Sequence, residues 1–232
     1  MLIDKSREIT FIHGWLFGPY MWQGVKKYFK QVKKHTLISL SGYGDKSKYT
    51  FDNSEQINNI LKSSKEGDII FGYSYSATLI LKLDNLDRCK GTIILINPFY
   101  TFRDNTINNF SINIKNNFDI NIKKFIFNCT KGIKNSKTNY TKLCKLFDNH
   151  SKPSLNSLYL GLEDLKNINK SDKLITHSKN LHIIQSLSDE VSDIKKFYQL
   201  EKDKFNTYRL EGSPHFPFFE FDKIYEIIKK IK

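Results

Sequence analysis

Short apolar runs alternate with longer amphipathic stretches through the first hundred residues. Residues 7–12, 36–40, 67–71 and 91–98 are compact and rich in Ile, Phe, Leu and Thr, and each is stopped by Gly, Ser or Pro. Runs of that length with such breakers predict buried strands. Between them, residues 22–32 place Trp22, Val25, Tyr28 and Phe29 on one face with lysines opposite, which predicts a helix. Residues 53–63 predict a second helix opened by a polar cap, and Ala77 to Leu83 begin a third. Strand and helix in regular alternation imply a parallel sheet wrapped by helices on both faces. The pattern changes after residue 100. Residues 101–165 show no strong strand, and Phe118, Ile122, Phe125 and Ile126 recur at helical spacing. Strand patterns return at 179–186 and 206–210, separated by a helix at 192–200. An amphipathic helix from Phe218 onward carries Phe221, Ile224, Tyr225, Ile228 and Ile231. The chain therefore divides into a first core part (1–100), a helical insertion (101–165) and a second core part (166–232).

Candidate chemistry sits at the strand ends. Phe71-Gly72-Tyr73-Ser74-Tyr75-Ser76-Ala77 joins a predicted strand to a predicted helix, and Ser74 is flanked two positions away by Gly72 and Ser76. A serine held between small residues at such a junction has the form of a nucleophile elbow. Ser76 fits the tight turn less well than a second glycine, and its side chain is expected to tighten the elbow. An ordinary helix-capping serine has the same local pattern. His13-Gly14-Trp15 ends the first strand, where a serine hydrolase takes one backbone N–H of its oxyanion hole. The donors here would be Trp15 and Tyr75; a plain strand terminus with a core Trp15 is the simpler alternative. Asp189 follows a late strand, with Glu190, Asp193 and Asp203 as rival acids. His215 lies in the loop after the last strand, with His13, His35, His150, His177 and His182 as rival bases. The order Ser74, Asp189, His215, each past a strand, is that of a Ser–acid–His hydrolase.

Composition narrows the class. A 232-residue chain with 39% hydrophobic and 14% aromatic residues can bury a full core. No apolar run has membrane-spanning length, and the first residues lack a secretory pattern. Cys89, Cys129 and Cys144 have no metal spacing and suit a reducing, cytoplasmic setting. No cofactor or metal site is expected. The net charge of +13 raises nucleic-acid binding. Arg is scarce and no basic motif occurs, so an acidic protein partner or acidic substrate accounts for the charge equally well. Residues 100–150 hold nine Lys plus Arg against three Asp plus Glu.

The stretches Phe11-Ile12-His13-Gly14-Trp15, Ser41-Gly42-Tyr43-Gly44, Gly72-Tyr73-Ser74-Tyr75-Ser76, Gly161-Leu162-Glu163-Asp164-Leu165-Lys166 and Ser188-Asp189-Glu190-Val191, with His215, resemble the pimeloyl-[acyl-carrier protein] methyl ester esterases of biotin synthesis, on the α/β-hydrolase fold. The resemblance runs from residue 9 to the end. It implies covalent ester hydrolysis by Ser74, His215 and Asp189, and an insertion that serves as a lid. It also implies an acyl carrier protein as partner and a monomer that uses neither nucleic acid nor membrane. Trp15, Tyr73, Tyr75 and Phe125 are candidates to line the acyl channel, and Lys123 and Lys124 to meet the carrier. Alternatives on the same fold are a short-chain carboxylesterase, a thioesterase or a menaquinone-pathway synthase. A non-catalytic module that binds through the basic insertion is the alternative of another class.

Overall fold

A computed structural model of the protein describes residues 6–43, 52–84, 86–100, 107–170, 178–203 and 205–231. The second half of the glycine loop (Gly44 onward), the start of the insertion and the rival base His177 lie outside the described residues.

Among the described residues, six strands form one sheet: β1 (Glu8–Ile12), β2 (Lys34–Ile38), β3 (Ile69–Tyr73), β4 (Thr92–Ile96), β5 (Leu181–Ser186) and β6 (Asn206–Leu210). Their spatial order is β2-β1-β3-β4-β5-β6, and every pairing is parallel. Register sets Phe11 beside Phe71, Phe71 beside Ile94 and Leu95 beside Ile183. Strands β3 and β5 are buried at every residue. A parallel sheet is covered on both faces, which explains the apolar run Ile69–Phe71 in β3 and leaves the polar His182, Gln185 and Ser186 of β5 buried as well.

The covering helices are α1 (Asn53–Ser63), α2 (Tyr75–Leu81), α3 (Ile107–Asn116), α4 (Phe118–Thr130), α5 (Ser136–Asp148), α6 (Leu155–Lys170), α7 (Lys195–Lys202) and α8 (Phe221–Lys230). Helix α1 starts where the polar cap was expected, with the Asp52 carboxylate accepting the Ser54 N–H at 2.7 Å. Helices α3 to α6 stand between β4 and β5 in the chain. After β1 the chain pairs outward to β2, then crosses to β3 on the other side. Loops diverge at such a switch point and leave a crevice at the carboxyl ends of the strands.

The helix expected over 22–32 is not an α-helix. Two 3-10 turns, Pro19–Trp22 and Lys26–Phe29, occupy this region. Its bonds run three residues back, from Val25 N–H to Trp22 O and from Tyr28 N–H to Val25 O, both 3.0 Å. A three-residue turn eclipses positions 22, 25 and 28 on one face, and Gly24 weakens the α-helical alternative. The expected burial stands: Trp22, Val25 and Phe29 are in the core, with the Phe29 ring 5.6 Å from that of Phe71.

Candidate active site

Ser74 occupies the one residue between β3 and α2. Its backbone adopts φ 50°, ψ −109°, a conformation that costs a non-glycine residue roughly 1–3 kcal/mol. The surroundings enforce it. A Cβ on Gly72 would lie 2.8 Å from Ile80 Cδ1 and 3.2 Å from Ala77 Cα, so only glycine lets the strand and helix meet this closely. Ser76 needs no such allowance. Its hydroxyl accepts the Tyr73 N–H at 3.0 Å and donates to the Ile12 carbonyl at 3.0 Å. The serine pins the elbow to the end of β1 and replaces a steric solution with a hydrogen-bonded one. Thr78 adds to it by donating to the Ser74 carbonyl at 2.9 Å.

Ser74, His215 and Asp189 converge. Ser74 Oγ lies 2.9 Å from His215 Nε2, and His215 Nδ1 lies 2.7 Å from Asp189 Oδ2. Donation from Nδ1 to the carboxylate leaves Nε2 to accept the serine proton. Asp189 and His215 are 0% and 1% exposed, while Ser74 retains 6%, so the hydroxyl is the accessible end of the relay. Asp189 is fixed in plane by further donors. The N–H groups of Val191 (2.8 Å) and Ser192 (2.9 Å) reach Oδ1, and Gln185 Nε2 reaches Oδ2 at 3.3 Å.

The rival acids are engaged elsewhere. Glu190 pairs with Lys131 at 3.5 Å, Asp193 accepts the Lys195 N–H at 2.9 Å, and Asp203 meets Gln199 at 3.0 Å. Among the rival bases, His35 bonds the Phe29 carbonyl at 3.0 Å, and His150 stacks on Tyr20 with centroids 4.1 Å apart. His182 sits near the Tyr208 hydroxyl, and burial pushes its imidazole down to about 4. His13 is fully buried, which lowers it to about 4. Its Nδ1 bonds the Gly14 carbonyl at 2.8 Å, and its Nε2 accepts the Leu40 N–H at 3.1 Å. Being neutral, it can fill both roles at once.

The turn after β1 lies against the elbow. A Cβ on Gly14 would come within 2.7 Å of the Tyr73 ring and 3.2 Å of Ser74 Cβ, so the peptide joining Gly14 to Trp15 passes beside the serine. Leu16 follows with φ 72°, and its N–H donates to the Tyr43 hydroxyl at 3.2 Å. The Ser41-Gly42-Tyr43 stretch thus supports the strained turn. On the other side, Tyr75 is the first residue of α2, where helical N–H groups are offered to acceptors outside the helix. The Trp15 indole meets Phe125 edge-on at 5.0 Å and Phe110 at 5.7 Å. Phe125 therefore reaches the site from the buried face of α4, whereas Lys123 and Lys124 lie on its exposed face. The Tyr73 phenol lies behind the site and donates to the His215 carbonyl at 3.1 Å. Its burial, with Cys129 and Asp189 close by, drives its pKa well up.

Asn97 was missed by sequence reasoning. It follows β4 with φ 46°. Its Nδ2 donates to the His215 carbonyl (2.7 Å), the Ser186 hydroxyl (2.9 Å) and the Pro214 carbonyl (3.3 Å), while its Oδ1 accepts the Ser186 N–H at 2.7 Å. The available signal was an Asn between a strand end and Pro98, since Asn tolerates positive φ.

The parallel sheet, the flanking helices and the converging strand-end loops make this the α/β-hydrolase fold. No protein-family model matches the chain. Over 175 residues, 70% of this chain and 67% of the other, it is 29% identical to the pimeloyl-[acyl-carrier protein] methyl ester esterase of Wigglesworthia glossinidia brevipalpis. The esterase of Exiguobacterium antarcticum superposes with a TM-score of 0.71 at 15% identity, covering 98% of this chain and 92% of its own. BioG of Haemophilus influenzae superposes with a TM-score of 0.57 at 13% identity, covering 93% and 91%. The two structures carry the fold alone. The sequence similarity, added to that fold, supports a carboxylic ester hydrolase.

Proposed function

We propose that the protein is a serine esterase that hydrolyses the methyl ester of a pimeloyl group carried by an acyl carrier protein. The observation that carries the catalytic part is the unbroken relay from Ser74 through His215 to Asp189, at 2.9 and 2.7 Å, on a strained elbow. Ser74 Oγ attacks the ester carbonyl carbon while His215 Nε2 takes its proton, and Asp189 stabilises the imidazolium. The N–H groups of Trp15 and Tyr75 receive the developing oxyanion; one such donor contributes about 3 kcal/mol. The tetrahedral intermediate collapses, methoxide leaves with the proton from His215, and methanol departs. Water then attacks the acyl-serine, giving its proton to His215. The second collapse returns that proton to Ser74 and frees the acid.

Substrate identity rests on the sequence similarity to an esterase of that name. The apolar group of Trp15, Phe110 and Phe125 supports it, because it suits an acyl chain. In this reading, residues 101–165 are the lid, Tyr75 helps bound the channel, Tyr73 backs the histidine loop from behind instead of lining it, and the exposed Lys123 and Lys124 attract the acidic carrier. A fluorophosphonate probe should label the wild type at Ser74 and leave Ser74→Ala unlabelled. The wild type should also restore growth to a biotin auxotroph lacking its own esterase. Failure to label ends the enzyme reading; labelling without complementation removes the pimeloyl substrate and keeps the esterase.

A further inference from the structure

The stretch Gly161 to Lys166 has no part in the chemistry above, yet one face of α6 is bonded to both residues assigned to the oxyanion hole. Positions 158, 161 and 164 recur every three residues and share that face. The Leu158 carbonyl accepts the Trp15 indole N–H at 2.9 Å. Gly161 sits between the two aromatic side chains. A Cβ there would lie 2.9 Å from Trp15 Cδ1 and 3.8 Å from Tyr75 Cζ. Asp164 Oδ2 accepts the Tyr75 phenol in a short hydrogen bond of 2.5 Å. The same phenol accepts from Asn53 Nδ2 at 3.3 Å, and Asn53 Oδ1 accepts the Ser41 N–H at 2.9 Å.

We propose that α6 is the brace of the oxyanion hole, with Asp164 and Gly161 as positioning residues that act through Tyr75 and Trp15. The physical reason lies in the elbow. Ser74 is held at a strained φ of 50°, and the next peptide supplies a donor whose direction depends on that strain persisting. A side chain free to swing would let the first turn of α2 relax. Tyr75 is instead fixed at its far end by a carboxylate on α6 and an amide on α1. Trp15, on the opposite wall, is fixed by the Leu158 carbonyl, six residues earlier on α6. The two donors are thus referred to a single rigid element, which is what electrostatic preorganisation requires. Seating of the insertion and competence of the site become the same event.

The inference rests on the serine-esterase reading, and the test separates the two. Full-length Asp164→Leu, Asp164→Asn, Tyr75→Phe and the double variant Tyr75→Phe/Asp164→Leu are assayed on p-nitrophenyl butyrate and by the rate of fluorophosphonate labelling. Loosening a donor should lower kcat and labelling rate by about tenfold or more with KM held within about twofold. Asp164→Asn keeps an acceptor for the phenol and should recover most of the rate. The double variant should lose no more than the worse single variant, since both sever one link. Rates at wild-type level in Asp164→Leu and Tyr75→Phe overturn the inference. So do additive losses, and so does a fall in kcat matched by a fall in melting temperature that Asp164→Asn does not rescue. A wild type that neither labels nor turns over overturns the esterase reading and this inference with it. Wild-type activity with insensitive variants overturns this inference alone.

Discussion

Replacing Asn97 with Ala tests how the histidine loop is held, and its magnitude follows from the contacts. The Ser186 N–H would lose its acceptor at 2.7 Å and stay buried; an orphaned buried donor costs about 1–3 kcal/mol. The His215 carbonyl would lose a donor at 2.7 Å but keep the Tyr73 hydroxyl at 3.1 Å, so that loss is about 1 kcal/mol. Ala must also hold φ 46° without the local compensation Asn has, which adds about 1 kcal/mol. The sum is about 3–5 kcal/mol, a large part of the ~5–15 kcal/mol that stabilises a typical domain. Asn97→Gly would suffer the same hydrogen-bond losses without the φ penalty, so the expected order of stability is wild type, then the Gly variant, then the Ala variant. Urea unfolding followed by circular dichroism measures all three. A loss below about 1 kcal/mol, or Ala matching Gly, would show that neither the bonds nor the backbone angle matters as described. On esters the Ala variant should also turn over more slowly, because Nε2 is aimed by a backbone that Asn97 no longer restrains.

Three further outcomes follow from the same geometry. His13 titrates near 4 when folded against 6.5 when free, so between these values the unfolded chain binds a proton that the folded chain refuses. Stability should rise from pH 4 to pH 6.5 and be lost on acidification, by about 3 kcal/mol from this group; urea titrations across that range should lose this share of the slope in His13→Asn, while buried His182, also lowered to about 4, keeps its own. Ser76→Gly removes two hydrogen bonds of 3.0 Å and places glycine in the first turn of α2. It should cost about 2–3 kcal/mol by thermal or urea unfolding, and an unchanged or more stable variant would mean the serine is only tolerated. Reversing Lys123 and Lys124 to Glu on the exposed face of α4 should slow turnover of a carrier-bound ester, more so at low salt, and spare a free one. Equal losses on both substrates would assign the lysines to folding.

Local pattern was enough for most of the framework. All six strands, and the helices at 53–63 and in the C-terminal segment, follow from run length, periodicity and breakers. Gly72 announced the elbow because a chain that turns from strand to helix in one residue has no room for a Cβ, and that is a property of neighbours in sequence. The order of Ser74, Asp189 and His215 could be read because parallel strands deliver their following loops to one edge. The 3-10 turns at Pro19–Trp22 and Lys26–Phe29 could not, since three- and four-residue spacings present the same apolar face.

What only the tertiary structure decided are contacts between residues far apart in the chain. Asn97 meets His215 across 118 positions, Trp15 meets Leu158 across 143, and Tyr75 meets Asp164 across 89. No periodicity encodes such partners. A polar side chain beside a strand end or on a helix looks alike whether it faces water or the loop that carries His215. Burial alone converts it into a positioning group, because removal from solvent leaves each donor and acceptor dependent on the one neighbour it finds.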